Sequence, residues 1–133
     1  MNKHTQEPTQ RQLRLAEQIR HILAKVFIRG DIRDPSLAGK IITVTEVRLS
    51  PDLQRATVFV CRLGRSDIGE LLPALKRAAP YMRRRVAHAL PLKTTPEMRF
   101  APDRAFDHSA KIHGLLRARE MQQDEEWVLG ARR

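Results

Sequence analysis

Two β-rich runs separated by a short turn constrain this chain more than any other feature. Ile41-Ile42-Thr43-Val44-Thr45-Glu46-Val47-Arg48-Leu49 and Ala56-Thr57-Val58-Phe59-Val60-Cys61 are dominated by β-branched residues, which suit a pleated, half-buried surface. Ser50-Pro51-Asp52-Leu53 between them is turn chemistry. A parallel return would need a crossover of about a dozen residues or more, so the two strands must pair antiparallel.

Helical patterns stand on both sides of this hairpin. Thr9 can cap a helix whose apolar residues Leu15, Ile19, Ile22, Leu23, Val26 and Phe27 recur every three or four positions, and Gly30 stops it. Asp34-Pro35-Ser36 through Gly39 is a turn region. After the hairpin, Gly64-Arg65-Ser66-Asp67 reads as a loop, with Asp67 and Glu70 as a capping signal. Leu71, Leu72, Leu75 and Ala78 form the next apolar stripe. Pro73 fits that helix best in its first turn, which puts the start nearer Gly69.

Pro80 interrupts the pattern. It cannot donate to the Lys76 carbonyl and its ring crowds the preceding turn, so a break or kink is expected there. Proline also suits the first position of a new helix. Met82, Val86, Ala87 and Leu90 continue the apolar face to Pro91, which predicts a helix–kink–helix. A short strand, Glu97-Met98-Arg99-Phe100-Ala101, and a helix over residues 109–121 complete the order α-β-β-α-α-β plus a C-terminal helix. The segments divide into a flexible arm over 1–8, a domain over 9–103 and a C-terminal helix and tail over 104–133.

Charge gives the first functional direction. The chain carries 25 Lys and Arg against 15 Asp and Glu, a formal net charge of +10. Residues 1–100 hold 19 basic and 9 acidic side chains, whereas residues 101–133 hold 6 of each. The whole excess therefore lies in the first 100 residues. Residues 71–96 contain no acid at all, but include Lys76, Arg77, Arg83, Arg84, Arg85 and Lys93. Such a run is either a solvated face or the footprint of a polyanion. A helix starting at Pro80 would also offer unpaired amides and a positive dipole end to a phosphate. The alternative is a kink that only bends the helix around the sheet.

Other classes find little support. The single cysteine, Cys61, excludes an internal disulfide framework and cannot alone make a structural zinc site. The five histidines show no metal-ligand spacing with it. The apolar runs are far short of a membrane span, and the polar N-terminus has no signal-like segment. There is no P-loop and no nucleophile elbow. Asp103 and Asp107 read as turn and cap residues, not a catalytic pair. The expectation is a non-enzymatic, cytoplasmic, single-domain nucleic-acid binder with no cofactor. Tyr81, beside the kink, is placed either to stack on a base or to pack on the domain.

In combination, several segments resemble the bacterial ribosome-binding factor A family. They are Asp34-Pro35, the two strand sequences with Leu49-Ser50-Pro51-Asp52-Leu53-Gln54-Arg55, Leu75-Lys76-Arg77-Ala78-Ala79-Pro80-Tyr81-Met82-Arg83-Arg84, Pro96-Glu97-Met98-Arg99-Phe100, and Ile112 with Leu115-Leu116. The resemblance runs from about Arg11 to Leu116.

It implies an α+β, KH-like (type II) domain of order α-β-β-α-kink-α-β. It further implies a monomeric factor that binds the free small (30S) subunit and assists late 16S rRNA processing, with a link to growth in the cold. Ala78-Ala79-Pro80 aligns with the family's Ala-x-Gly kink, with proline where glycine is usual. Proline keeps a break but removes a donor and blocks close backbone approach. The expected RNA-binding residues are Lys76, Arg77, Ala78, Ala79, Pro80, Arg83, Arg84 and Arg85, with Arg11, Arg14 and Arg20 extending the footprint. A DNA-binding regulator, with two helices around a bend imitating a helix-turn-helix, is the alternative. Residues 80–90 offer no Asn, Gln or Ser for reading bases. An RNA-processing enzyme comes third.

Overall fold

The computed structural model describes residues 7–103. The expected C-terminal helix and tail over 104–133, and most of the 1–8 arm, lie outside the described residues. Helix α1 (Gln10–Arg29) begins at the expected cap. The Thr9 hydroxyl accepts the Gln12 amide at 3.1 Å and the Gln12 side chain accepts the Thr9 amide at 2.7 Å, a reciprocal capping box. Gly30 closes the helix at φ +67, a left-handed conformation in which a side chain is unfavourable.

Strands β1 (Thr43–Leu49) and β2 (Arg55–Cys61) pair antiparallel as their short connection requires. The apolar residues Val44 and Val47 are three apart, which a regular strand would send to opposite faces. The pairing shifts between Val44 and Glu46, inserting Thr45 as a bulge that resets the alternation. Val44 and Val47 thereby both reach the core, 3% and 6% exposed.

Strand β3 (Glu97–Pro102) runs parallel to β2, giving the order β1-β2-β3. Parallel pairing needs a long crossover, and helix α2 (Ile68–Ala89) supplies it. Both helices pack on one side of the sheet. Ile19, Leu23 and Val26 of α1 meet Leu75, Met82 and Val86 of α2 over Ala56, Val58 and Val60 of β2, every one of them 0% exposed. Among the described residues no helix is long and apolar enough to cross a membrane.

Two local expectations are corrected. Helix α2 starts at Ile68, and the Asp67 side chain makes no capping bond. Its Oδ2 is instead drawn 2.6 Å from Arg62 Nη1 and 3.5 Å from Arg65 Nη2. A charged partner outcompetes the backbone amides for that oxygen.

The second correction concerns Pro80. Helix α2 runs unbroken through Pro73 and Pro80, so there are not two helices with a break between them. The physical reason is packing. Apolar residues on both sides of Pro80 fall on one continuous core stripe, and burying it outweighs the hydrogen bond that each proline removes.

Candidate nucleic-acid interface

Helical geometry sorts the expected site residues. Positions three, four and seven apart share a face. Lys76, Pro80, Arg83 and Arg84 therefore lie along one side of α2 with Arg77 at its flank, and all five are exposed. Ala78 falls on the opposite side, buried in the core at 7% exposure. Ala79 is half-buried and packs against the core's edge. The structure thus brings the cations together around Pro80 and withdraws Ala78 from the surface.

The continuous helix also removes one expected source of binding. Residues after Pro80 have helical partners for their amides, so no helix N-terminus faces solvent there. Any anion on this face is met by side chains. The same continuity leaves no turn between two helices, on which a helix-turn-helix reading depended.

The arginines divide by partner. Arg77 donates from Nε to Asp34 Oδ2 at 3.0 Å and from Nη2 to Asp34 Oδ1 at 3.3 Å, and its Nη2 is 3.4 Å from Ser36 Oγ. The Arg77 hydrogen bond, then the Ser36 amide, holds the Asp34 carboxyl below its ordinary range. Arg85 Nη1 donates to Asp31 Oδ2 at 2.7 Å and to Tyr81 Oη at 2.8 Å. Asp31, then Tyr81, raises the Arg85 pKa.

Arg83 donates to the Thr95 carbonyl at 2.9 Å, an anchor that brings no opposing charge. Arg84 lies over the Tyr81 ring, 5.8 Å from its centroid. Among the described residues no carboxylate is within salt-bridge distance of Lys76, Arg83 or Arg84. Tyr81 is half-buried against the core, and Arg84 and Arg85 both approach its ring. It packs on the domain and organises these arginines.

Beside this face is a concavity of about 760 Å³ between the end of α1 and the middle of α2. Arg29 and Arg33 line it together with Asp31, Asp34, Arg77 and Arg85. None of Arg29, Arg33, Asp31 or Asp34 was legible as part of the site. The only sequence signal was the charged turn after Gly30, and nothing in it shows which helix the turn meets.

The extended footprint also divides. Arg11 and Arg14 share one exposed side of α1. Arg20 stands nine residues from Arg11, about two and a half turns, and so faces the other way. Its Nε donates to Glu17 at 3.0 Å, an ion pair within one turn of the helix. The Arg20 hydrogen bond is the main cause holding Glu17 below its usual range. Arg20 is therefore not part of the Arg11 and Arg14 surface.

Comparison with known proteins agrees with this architecture. A profile of the family "Ribosome-binding factor A" matches residues 11–116. The Ribosome-binding factor A of Rhodospirillum rubrum is 51% identical over 117 residues, covering 88% of this chain and 71% of that protein. That of Paramagnetospirillum magneticum is 44% identical over 124 residues, covering 93% and 87%. The crystal structure of ribosome-binding factor A from Thermus thermophilus is 31% identical with a TM-score of 0.58, covering 71% of this chain and 98% of that one. The solution structure of a Thermotoga maritima protein described as a putative ribosome binding factor A is 32% identical with a TM-score of 0.63, covering 74% and 92%. Thermus thermophilus ribosome binding factor A has also been fitted into a cryo-EM map of a 30S complex, and it is 31% identical with a TM-score of 0.56. The fold is accordingly KH-like and α+β, and the chain belongs to the ribosome-binding factor A family.

Proposed function

We propose that this chain is a non-enzymatic ribosome assembly factor that binds the free small (30S) subunit and assists late processing of 16S rRNA. It acts as a monomer in the cytoplasm, and its contribution is greatest in the cold. The observation that carries this reading is the exposed face of α2, where Lys76, Arg83 and Arg84 surround Pro80 with no acid among their described neighbours. Such a face suits the phosphate backbone of structured RNA. Family membership supports the small subunit as the source of that RNA, since a Thermus thermophilus relative has been fitted into a 30S complex.

In this reading Lys76, Arg77, Arg83 and Arg84 contact rRNA phosphates, and Pro80 and Ala79 form the surface between them. Ala78 contributes from beneath by seating the helix. Arg85 sets the position of Tyr81 and the turn at Asp31. The factor works by holding an rRNA conformation or by blocking premature subunit joining.

The test is sedimentation of cell extract through a gradient with the wild-type chain and a Lys76→Glu/Arg84→Glu variant. The wild type is expected with free small subunits, and the variant at the top of the gradient with its circular dichroism unchanged. Loss of the chain should also leave 16S precursor uncleaved in cells grown cold. Unchanged co-sedimentation of the folded variant would remove the α2 face as the interface.

A further inference from the structure

A second cationic concavity opens at the other end of α1. It holds about 420 Å³, within the range of small-ligand sites, and Arg11, Arg14, Gln18, Leu53, Gln54 and Lys93 line it. These residues come from α1, from the turn between β1 and β2, and from the segment after α2. Leu15 and Leu92 complete an apolar floor beneath the cations. Asp52 also borders it, but that carboxylate is committed to its own turn. It accepts the Ser50 hydroxyl at 2.6 Å and the Gln54 amide at 3.1 Å.

Leu53 adds an independent observation. At φ +61 it is the one non-glycine residue with a positive φ among the described residues. Its amide donates to the Ser50 carbonyl at 2.9 Å, closing the turn. Glycine or asparagine would hold this conformation with less strain, so the turn alone does not call for leucine. The strained backbone carries an apolar side chain into the floor of the concavity.

Three cations on the rim, an apolar floor and the side-chain amides of Gln18 and Gln54 match the parts of one unstacked nucleotide. The cations suit its phosphate, the leucines the face of its base, and the amides the base's edge. Arg11 and Arg29 mark the two concavities and stand eighteen residues apart on α1, about 27 Å along its axis.

We propose that the Arg11, Arg14 and Lys93 concavity holds one unpaired nucleotide of the same RNA that crosses the α2 face, so that the domain grips the RNA at two separated points. This rests on the RNA-binding reading above, and the experiment separates the two.

The full chain is titrated with a short single-stranded oligouridylate and with a duplex RNA of equal length, across a salt series. Arg14→Gln/Lys93→Gln should lose affinity for the oligouridylate and lower the salt slope by about 0.7, the value for one lost single-strand phosphate contact. Leu53→Asn keeps the left-handed turn and should weaken oligouridylate binding about fivefold with the slope unchanged, equivalent to roughly 40 Å² of lost apolar contact. Neither substitution should alter duplex binding to the same degree.

Wild-type oligouridylate affinity in the folded Arg14→Gln/Lys93→Gln variant would overturn the proposal. Equal losses on the duplex would do so too, because they would mark a patch that senses charge alone. A parallel Lys76→Gln/Arg84→Gln variant reports on α2 separately. If it binds the oligouridylate and the duplex normally while Arg14→Gln/Lys93→Gln does not, the nucleotide site stands, and the α2 reading and the two-point grip fail.

Discussion

The Arg85 guanidinium donates to the Asp31 carboxylate across 2.7 Å and across 54 residues of chain. Both side chains are about one-third exposed, 32% and 28%. One arginine of the acid-free run is therefore engaged in joining α2 to the turn that follows α1. Together with the Arg77–Asp34 pair, it sets the wall of the larger concavity. The net charge of this surface is smaller than its arginine count, and its free cations are displaced toward Lys76, Arg83 and Arg84.

Asp31→Asn should act in opposite directions on stability and on RNA affinity. It removes the ionic partner of Arg85, which lowers the thermal midpoint slightly because the pair is partly solvated. It also releases a cation beside the α2 face. The slope of log affinity against log salt should steepen by up to about 0.9 for a duplex site. A thermal melt and a salt-dependent binding series check the two effects, and a shallower slope would contradict this account.

Pro80→Ala should stabilise the protein. The helix is continuous at this exposed position, so alanine restores the amide that can donate to the Lys76 carbonyl. Proline inside a helix costs about 3 kcal/mol relative to alanine, which bounds the gain from above. Pro80→Gly should gain less by about 1 kcal/mol. Denaturant unfolding of the three proteins would show the order alanine, glycine, proline, and a destabilised alanine variant would refute it.

Acid should weaken the fold through specific carboxylates. Asp34, Asp52 and Glu17 all titrate below their ordinary values, held mainly by Arg77, by the Ser50 hydroxyl and by Arg20 respectively. Near pH 4 the unfolded chain therefore binds more protons than the folded one, so stability rises with pH in that window. The contribution is present above about pH 4 and disappears as pH falls through the folded-state values. Asp34→Asn should flatten the acid limb of a stability-versus-pH curve. An unchanged slope below about pH 5 would show that the Arg77 pair is not formed in solution.

Leu75→Ala should cost about 2–5 kcal/mol, because Leu75 is fully enclosed and its removal leaves a cavity where α2 crosses the sheet. For a domain of this size each 1 kcal/mol lowers the midpoint by roughly 4–8 °C. Calorimetry provides the measurement. A loss below about 1 kcal/mol would mean that the α2 stripe is not the core contact described.

Much of the local structure was legible in the residues themselves. The Thr9 cap, the Gly30 stop and the antiparallel hairpin each follow from a few neighbouring side chains, and all three are present. The Asp67 signal was misread for an equally local reason. Arg62 and Arg65 lie close enough in space to draw its Oδ2 away from the helix amides.

The cationic face of α2 was visible from spacing alone, whereas the second concavity was not. Lys93 was counted as charge, and Arg11 and Arg14 as an extension. Nothing in the order of residues shows that α1, the β1–β2 turn and the segment after α2 converge.

The sequence by itself determined which segments are helix and strand, where the charge lies and which family the chain resembles. Propensity, periodicity and composition are properties of short stretches. Only the tertiary structure decided that α2 continues through Pro80, that β3 lies parallel beside β2, and which arginines are held by Asp31 and Asp34. Those outcomes depend on burying one continuous apolar stripe and on pairing charges more than 40 residues apart. Such energies exist only once the segments have met.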